Sequence, residues 1–257
     1  MADQLPVQYF KGRDGVQLAY RVTGPQDGRP LVLIHGYFST AHENWVRYGT
    51  AARLAALGYH VVLPDLRGHG ESARPHDPAA YPPDALADDG FALLAHLGLT
   101  DYDLGGYSLG ARTVVRMLAR GATPARAIVA GTGLDGVVDA VGRGGYFLRV
   151  LDSPGTFERG SSEWRAEAFL KTIGGDPVAL RHVLATQVNT PLESLAFIEV
   201  PALVLIGAQD EAHESAKELA AALPEGRFAE VPGNHMSAVT KPDLGTAIAE
   251  FLGEAGR

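Results

Sequence analysis

Gly106-Tyr107-Ser108-Leu109-Gly110 stands directly after a short strand pattern and opens a stretch with helical spacing, Leu109 to Arg120. A serine on so sharp a strand-to-helix turn must take a strained backbone conformation. Glycines on either side let strand and helix approach closely, and the hydroxyl then projects above the strand ends as a nucleophile. Unpaired amides and the helix dipole favour negative charge at such a helix start, so the Leu109 N–H is a candidate donor to a tetrahedral oxyanion. The five-residue pattern also arises by chance, with Ser108 as a mere helix N-cap. The flanking strand and helix make the nucleophile reading the specific one.

Working outward, strand-length apolar runs occur at Leu31 to Ile34, His60 to Leu63, Ala127 to Ala130 and Ala202 to Ile206, with a shorter one at Tyr102 to Leu104, and a last strand is predicted at Arg227 to Val231. Runs of this kind suit strands buried on both faces of a parallel sheet. Helical spacing fills the intervals at Trp45 to Leu57, Ala85 to Leu97, Ala216 to Leu223 and Leu244 to Leu252. Alternating strands and helices predict an α/β fold with a mostly parallel sheet and helices on both faces. Near the start, Val7 to Lys11 and Val16 to Val22 flank Asp14-Gly15, a turn pair that predicts an antiparallel hairpin at one sheet edge. From about residue 134 to 199 the alternation breaks, and paired glycines and patches such as Trp164 to Ile173 predict an insertion of short helices.

A serine hydroxyl needs a base to take its proton. Of the nine histidines, His235 lies in Pro232-Gly233-Asn234-His235-Met236, after the last strand pattern and before the final helix, a position that suits a Ser, acid, His order along the chain. His35 sits directly before Gly36 at the end of a strand and His69 lies inside Arg67-Gly68-His69-Gly70, and either would pin loops. The base in turn needs a carboxylate to hold its tautomer. Asp210 follows the Ala202 to Ile206 run at a strand's carboxyl end, where ligand sites of open α/β sheets gather; Asp135, after the preceding strand, is the rival. A second oxyanion donor is expected from the exit of the Leu31 to Ile34 run, His35-Gly36-Tyr37-Phe38, where Gly36 permits a turn that aims the Tyr37 backbone N–H inward.

Composition narrows the function classes. At 257 residues with 46% hydrophobic and 20% charged residues, the chain has the make-up of one soluble globular domain spanning 1–257. A net charge of −8 argues against gripping nucleic acid, and the absence of cysteine excludes disulfides, thiolate metal sites and a cysteine nucleophile. No apolar run approaches the roughly 20 residues of a membrane span, and the start lacks a basic, then apolar leader. A cytoplasmic protein that does not engage membranes is expected; the composition favours no particular oligomeric state.

Together, His35-Gly36, Asp65-Leu66-Arg67-Gly68-His69-Gly70-Glu71-Ser72, Gly106 to Gly110, Gly207 to Asp210 and Gly233-Asn234-His235 resemble the α/β-hydrolase superfamily, over nearly the whole chain. The resemblance implies the α/β-hydrolase fold, with the 134–199 insertion as a small helical cap over the nucleophile. Trp164, Phe157, Tyr146 and Phe147 are then candidate pocket-lining residues. Asp65, Arg67 and His69 are expected to brace the floor of the site, and Arg112 to enter a structural pair or to touch substrate. Branches with aspartate at the nucleophile position are disfavoured by Ser108. The activity implied is hydrolysis of small to medium carboxylic esters through an acyl-enzyme, with catalytic Ser108, His235 and Asp210, oxyanion donors Tyr37 and Leu109, no metal and no organic cofactor. Two alternatives stay open: a C–C hydrolase, lactonase or amidase on the same triad, with cap residues Arg143 and Arg149 meeting a substrate carboxylate, and a non-catalytic ligand receptor.

Overall fold

Along Leu31-Val32-Leu33-Ile34 the side chains alternate between two cores, Leu31 and Leu33 in one, Val32 and Ile34 in the other. A strand buried on both faces requires paired edges and a covering layer above and below. The computed structural model, which describes residues 5–253, supplies both with one eight-stranded sheet. Its strands are β1 (Val7–Lys11), β2 (Gln17–Thr23), β3 (Arg29–Ile34), β4 (Tyr59–Pro64), β5 (Asp103–Tyr107), β6 (Arg126–Ala130), β7 (Ala202–Gly207) and β8 (Gly226–Val231), in the spatial order β1-β2-β4-β3-β5-β6-β7-β8. The first two strands pair antiparallel, as does β2 with β4, and every other pairing is parallel. The expected hairpin forms around Asp14-Gly15, with Gly15 at φ +81°.

Between the strands run α1 (Thr50–Ala56), α2 (Ala85–His96), α3 (Leu109–Ala119), α4 (Leu134–Val138), α5 (Gly145–Asp152), α6 (Ser162–Thr172), α7 (Pro177–Ala185), α8 (Leu192–Leu195), α9 (His213–Ala222) and α10 (Pro242–Gly253). One face of the sheet packs on α1 and α10 through Leu54, Ile248 and Phe251; the other packs on α2, α3 and α9 through Leu93, Val114, Met117 and Leu219. Burial of each such side chain contributes roughly 1.5–3 kcal/mol, so these two layers hold the sheet between them. Among the described residues no helix is long and apolar enough to cross a membrane.

Two local expectations are corrected. The helix read over Trp45 to Leu57 is two pieces, a wide helical turn over His42–Val46 and then α1, because Gly49 at φ +83° breaks the path. The strand read as Tyr102 to Leu104 instead runs Asp103–Tyr107, straight through Gly105 and Gly106. Ladders to β3 and β6 on both sides override the weak strand preference of glycine, and side chains would not fit: a Cβ on Gly105 would lie 2.8 Å from Leu33 Cδ2.

The path from β3 to β4 goes one way across the sheet, and the path from β4 through α2 to β5 returns to the other side of β3. Loops leaving β3 and β5 therefore diverge, opening a crevice at their carboxyl ends, the usual ligand position in open α/β sheets. Helices α4 to α8, all between β6 and β7, are tied to the loops at this end. Tyr37 donates its hydroxyl to the Leu180 carbonyl at 2.7 Å, Arg74 donates to the Gly174 carbonyl at 2.7 Å, and the Asp84 N–H donates to the Thr186 carbonyl at 2.9 Å.

Candidate active site

Ser108 sits where β5 stops and α3 begins, at φ 54° and ψ −112°. A non-glycine residue in that region is strained by about 1–3 kcal/mol, and the surroundings hold it there. Its N–H donates to the Ala130 carbonyl at 2.8 Å. Crowding explains the glycines on either side: a Cβ on Gly106 would lie 2.3 Å from the Gly110 carbonyl carbon, and one on Gly110 would lie 2.2 Å from the Ile34 carbonyl oxygen. Backbone atoms cannot yield as a flexible side chain would, so strand and helix meet at this distance only with glycine at both positions.

His235 and Asp210 converge on Ser108 from the loops after β8 and β7. His235 Nδ1 is 3.0 Å from Asp210 Oδ2, and His235 Nε2 is 3.0 Å from Ser108 Oγ. A carboxylate can only accept, so Nδ1 carries the ring proton and Nε2 accepts from the serine hydroxyl. Asp210 is buried, which alone would raise its pKa; hydrogen bonds from His235 and the Ala212 N–H outweigh that and hold it below the ordinary carboxylate value. It therefore stays ionised and fixes the tautomer. The rival Asp135 lies on α4, its N–H bonded to Ser215 Oγ at 2.9 Å, while the acid joined to His235 is Asp210.

The histidine loop has a support that the sequence reading missed. Tyr107, the residue before the serine, donates its buried hydroxyl to the His235 carbonyl at 2.6 Å, and its ring lies 5.5 Å from the imidazole. Burial pushes the phenol pKa up, so Tyr107 remains a neutral donor. Replacing Tyr107 with phenylalanine is expected to cost about 1 kcal/mol of stability. It is also expected to lower kcat about three- to tenfold with little change in KM, since the base loses alignment while the pocket is untouched. Steady-state kinetics together with thermal unfolding check this; an unchanged kcat would dismiss the positioning role.

The exit of β3 passes directly against the serine: a Cβ on Gly36 would stand 3.3 Å from Ser108 Cβ. Asn44 Oδ1 accepts the Gly36 N–H at 2.7 Å, and Phe38 follows at φ 51°, so the Tyr37 peptide is held from both sides. Leu109 occupies the first helical position, where an N–H has no intrahelical acceptor.

The other histidines near the site are braces. His35 Nε2 accepts the Leu66 N–H at 2.9 Å, which leaves Nδ1 to donate to the Gly36 carbonyl at 2.7 Å. Burial lowers the pKa of His35, and burial first, then the neighbouring His35, lowers that of His69 to about 3. Both rings are therefore neutral. Asp65 accepts from Arg21 at 2.8 Å and from the Ala41 and Glu71 N–H groups, while buried Arg67 pairs with Asp89 at 2.6 Å and with Asp14. These contacts lie beneath the loops that carry the site. Among the described residues no group of three His, Asp or Glu side chains converges as metal ligands.

Beside Tyr37 and Leu109 opens a cavity of about 320 Å³ under α5 and α7. Of the aromatics expected to line a pocket, Phe147 does so; Trp164 is 36% exposed, and neither Tyr146 nor Phe157 reaches the cavity wall. The mixed face of α6 turns its tryptophan outward. Arg149 is largely exposed, with Glu163 at 3.9 Å, and the Arg143 side chain lies outside the described residues. Arg112, Arg181 and Gln187 supply the polar part of the wall instead.

Residues 29–137 match the model of the alpha/beta hydrolase fold family. Over 117 residues the chain is 32% identical to a non-heme chloroperoxidase of Burkholderia pyrrocinia, a match that takes in 46% of this chain and 40% of that protein. The chain thus spans about two fifths of the length of the curated relatives it matches. Solved structures match over almost their whole length. A hydrolase from Pseudomonas aeruginosa superposes with a TM-score of 0.75 at 26% identity, covering 96% of this chain and 98% of that one. An esterase from Rhodococcus gives 0.73 at 25% identity, with coverage of 96% and 98%.

Proposed function

The chain belongs to the α/β-hydrolase superfamily, and from that premise we propose that it is a serine hydrolase cleaving small to medium carboxylic esters through an acyl-enzyme. The observation that carries this reading is the hydrogen-bonded line from Ser108 Oγ through His235 to Asp210. Similarity to the Rhodococcus esterase supports the ester class.

In the first half-reaction Ser108 Oγ attacks the ester carbonyl carbon as its proton passes to His235 Nε2. The carbonyl electron pair moves to oxygen, where the Tyr37 and Leu109 N–H groups stabilise the charge. Collapse breaks the bond to the alkoxy oxygen, which leaves as the alcohol with the proton from Nε2. Water then adds to the acyl-enzyme, again giving its proton to Nε2. The second collapse releases the acid and returns the proton to Ser108. Ionised Asp210 stabilises the imidazolium in both halves.

p-Nitrophenyl acetate, butyrate and octanoate test this reading. Turnover is expected, with an initial burst of nitrophenolate matching the enzyme concentration when deacylation is the slower half. Absence of hydrolysis across the series would overturn it and favour a receptor or a different scissile bond.

A further inference from the structure

In the proposed mechanism three of the groups around the reacting carbon are assigned. Ser108 Oγ is one, the oxygen facing the Tyr37 and Leu109 N–H groups is the second, and the leaving group is the third, because His235 Nε2 must hand it a proton. The His235 side chain is 39% exposed and Met236 after it is 65% exposed, so the leaving group points to the open side. The acyl chain takes the direction that remains. Tyr37 and Leu109 line the cavity of about 320 Å³ and neither His235 nor Asp210 does, which puts that space on the acyl side.

The cavity presents no unmatched charge. Arg181 is paired with Asp152, and Arg112 has a partner of its own. Most of the surface is apolar, from Leu109, Ala140, Val141, Phe147, Leu148 and Leu184. Covering such a wall with a neutral hydrocarbon chain removes apolar surface of both partners from water, which is the main favourable contribution to binding in a site of this kind.

One end of the cavity is closed. Arg112, Ala140 and Gln187 also line an adjoining void of only about 20 Å³, room for about one water. Hydrogen bonds fix this partition: the Thr190 N–H donates to the Val137 carbonyl and the Val141 N–H to Asn189 Oδ1, each at 3.0 Å, and the Asp84 N–H holds the Thr186 carbonyl at 2.9 Å. Ala140, 4% exposed, is the small residue in it. At on the order of 30 Å³ per chain carbon, close to the share of one water in its liquid, the main cavity exceeds an acetyl group several-fold. We propose that this cavity is the acyl pocket, that it takes a neutral chain of about six to eight carbons, and that the partition at Ala140 and Gln187 sets the length. This rests on the ester-hydrolase reading and names the acyl part of its substrate.

The test measures kcat/KM for p-nitrophenyl acetate, butyrate, hexanoate, octanoate and dodecanoate in wild type, Ala140→Leu and Leu148→Asn. Each methylene that enters an apolar pocket is worth up to about fourfold, so wild type is expected to favour hexanoate over acetate by about thirtyfold or more. The gain is expected to end near octanoate, with dodecanoate no better. Ala140→Leu adds three carbons to the partition, and because the adjoining void has no room for them they enter the main cavity. The hexanoate-to-acetate ratio is expected to fall at least fivefold, and a ratio taken within one variant cancels any general loss of active protein. Leu148→Asn replaces a half-buried apolar wall residue by an amide of similar size and is expected to lower the same ratio, which keeps the test in force should the leucine variant fail to fold. A wild-type ratio near one, or a ratio unmoved in the variants that fold, overturns the proposal while Ser108-dependent hydrolysis of acetate leaves the ester reading standing. Absence of turnover for every chain overturns the ester reading, and the acyl pocket falls with it.

Discussion

Replacing Ser108 with alanine is expected to lower kcat for p-nitrophenyl butyrate by a factor on the order of 10⁴ or more, with KM changed little. In the proposed mechanism the hydroxyl is the atom that bonds to carbon. His235→Ala is expected to cost a similar factor, because the serine proton then has no acceptor at 3.0 Å. The double variant is expected to be no worse than either single one, since the two groups act as a unit. Circular dichroism and thermal unfolding of the variants guard against misfolding. If Ser108→Ala keeps more than about a hundredth of wild-type turnover, the acyl-enzyme mechanism is wrong, whatever the geometry of the triad.

The largest stability effect is expected from Arg67→Ala. The Arg67 and Asp89 side chains are only 2% and 6% exposed, and the guanidinium donates to both Asp89 oxygens, at 2.9 and 2.6 Å. Removing the cation leaves a carboxylate buried without its partner, a change that costs about 3–5 kcal/mol. Asp14, 36% exposed, can turn to water and adds little. The loss should depend on pH. Burial raises the Asp89 pKa from 3.8 to about 6 even with Arg67 against it. Because the folded value lies above the unfolded one, ionising Asp89 costs stability as pH rises through that interval. Without Arg67 the folded pKa moves higher still, and the penalty continues to grow through neutral pH. The drop in Tm relative to wild type is therefore expected to be larger at pH 8 than at pH 5. A double variant, Arg67→Met with Asp89→Leu, should recover part of the loss, because no charge is left buried. An equal drop at both pH values, or no recovery in the double variant, would show that the pair is not the source of the effect.

The fold class was legible because its signals are local. Leu31 to Ile34 and Ala202 to Ile206 carry their burial pattern in four or five consecutive residues, and Asp14-Gly15 carries its turn in two. Where the local signal failed, a nonlocal partner had overridden it. Gly105 and Gly106 read as the end of a strand, but β3 and β6 on either side keep them in the sheet. Trp45 to Leu57 read as one helix because apolar spacing continues across Gly49, and spacing does not reveal a change of backbone path.

By itself the sequence determined that a parallel α/β sheet would end in a strained serine turn, since strand period, glycine spacing and helix start are all written within a dozen residues of Ser108. It also placed His235 and Asp210 at the right ends of their strands, because chain order and strand exits are one-dimensional properties. Only the tertiary structure decided which carboxylate meets the histidine, that Tyr107 holds the His235 carbonyl from 128 residues away, and that Arg112 and Arg181 share a wall with Phe147 while Trp164 and Arg149 turn to solvent. The direction of a side chain on a short helix depends on what the helix packs against, and for α5 to α7 that partner is a set of loops remote in sequence, to which hydrophobic spacing within the helices carries no reference.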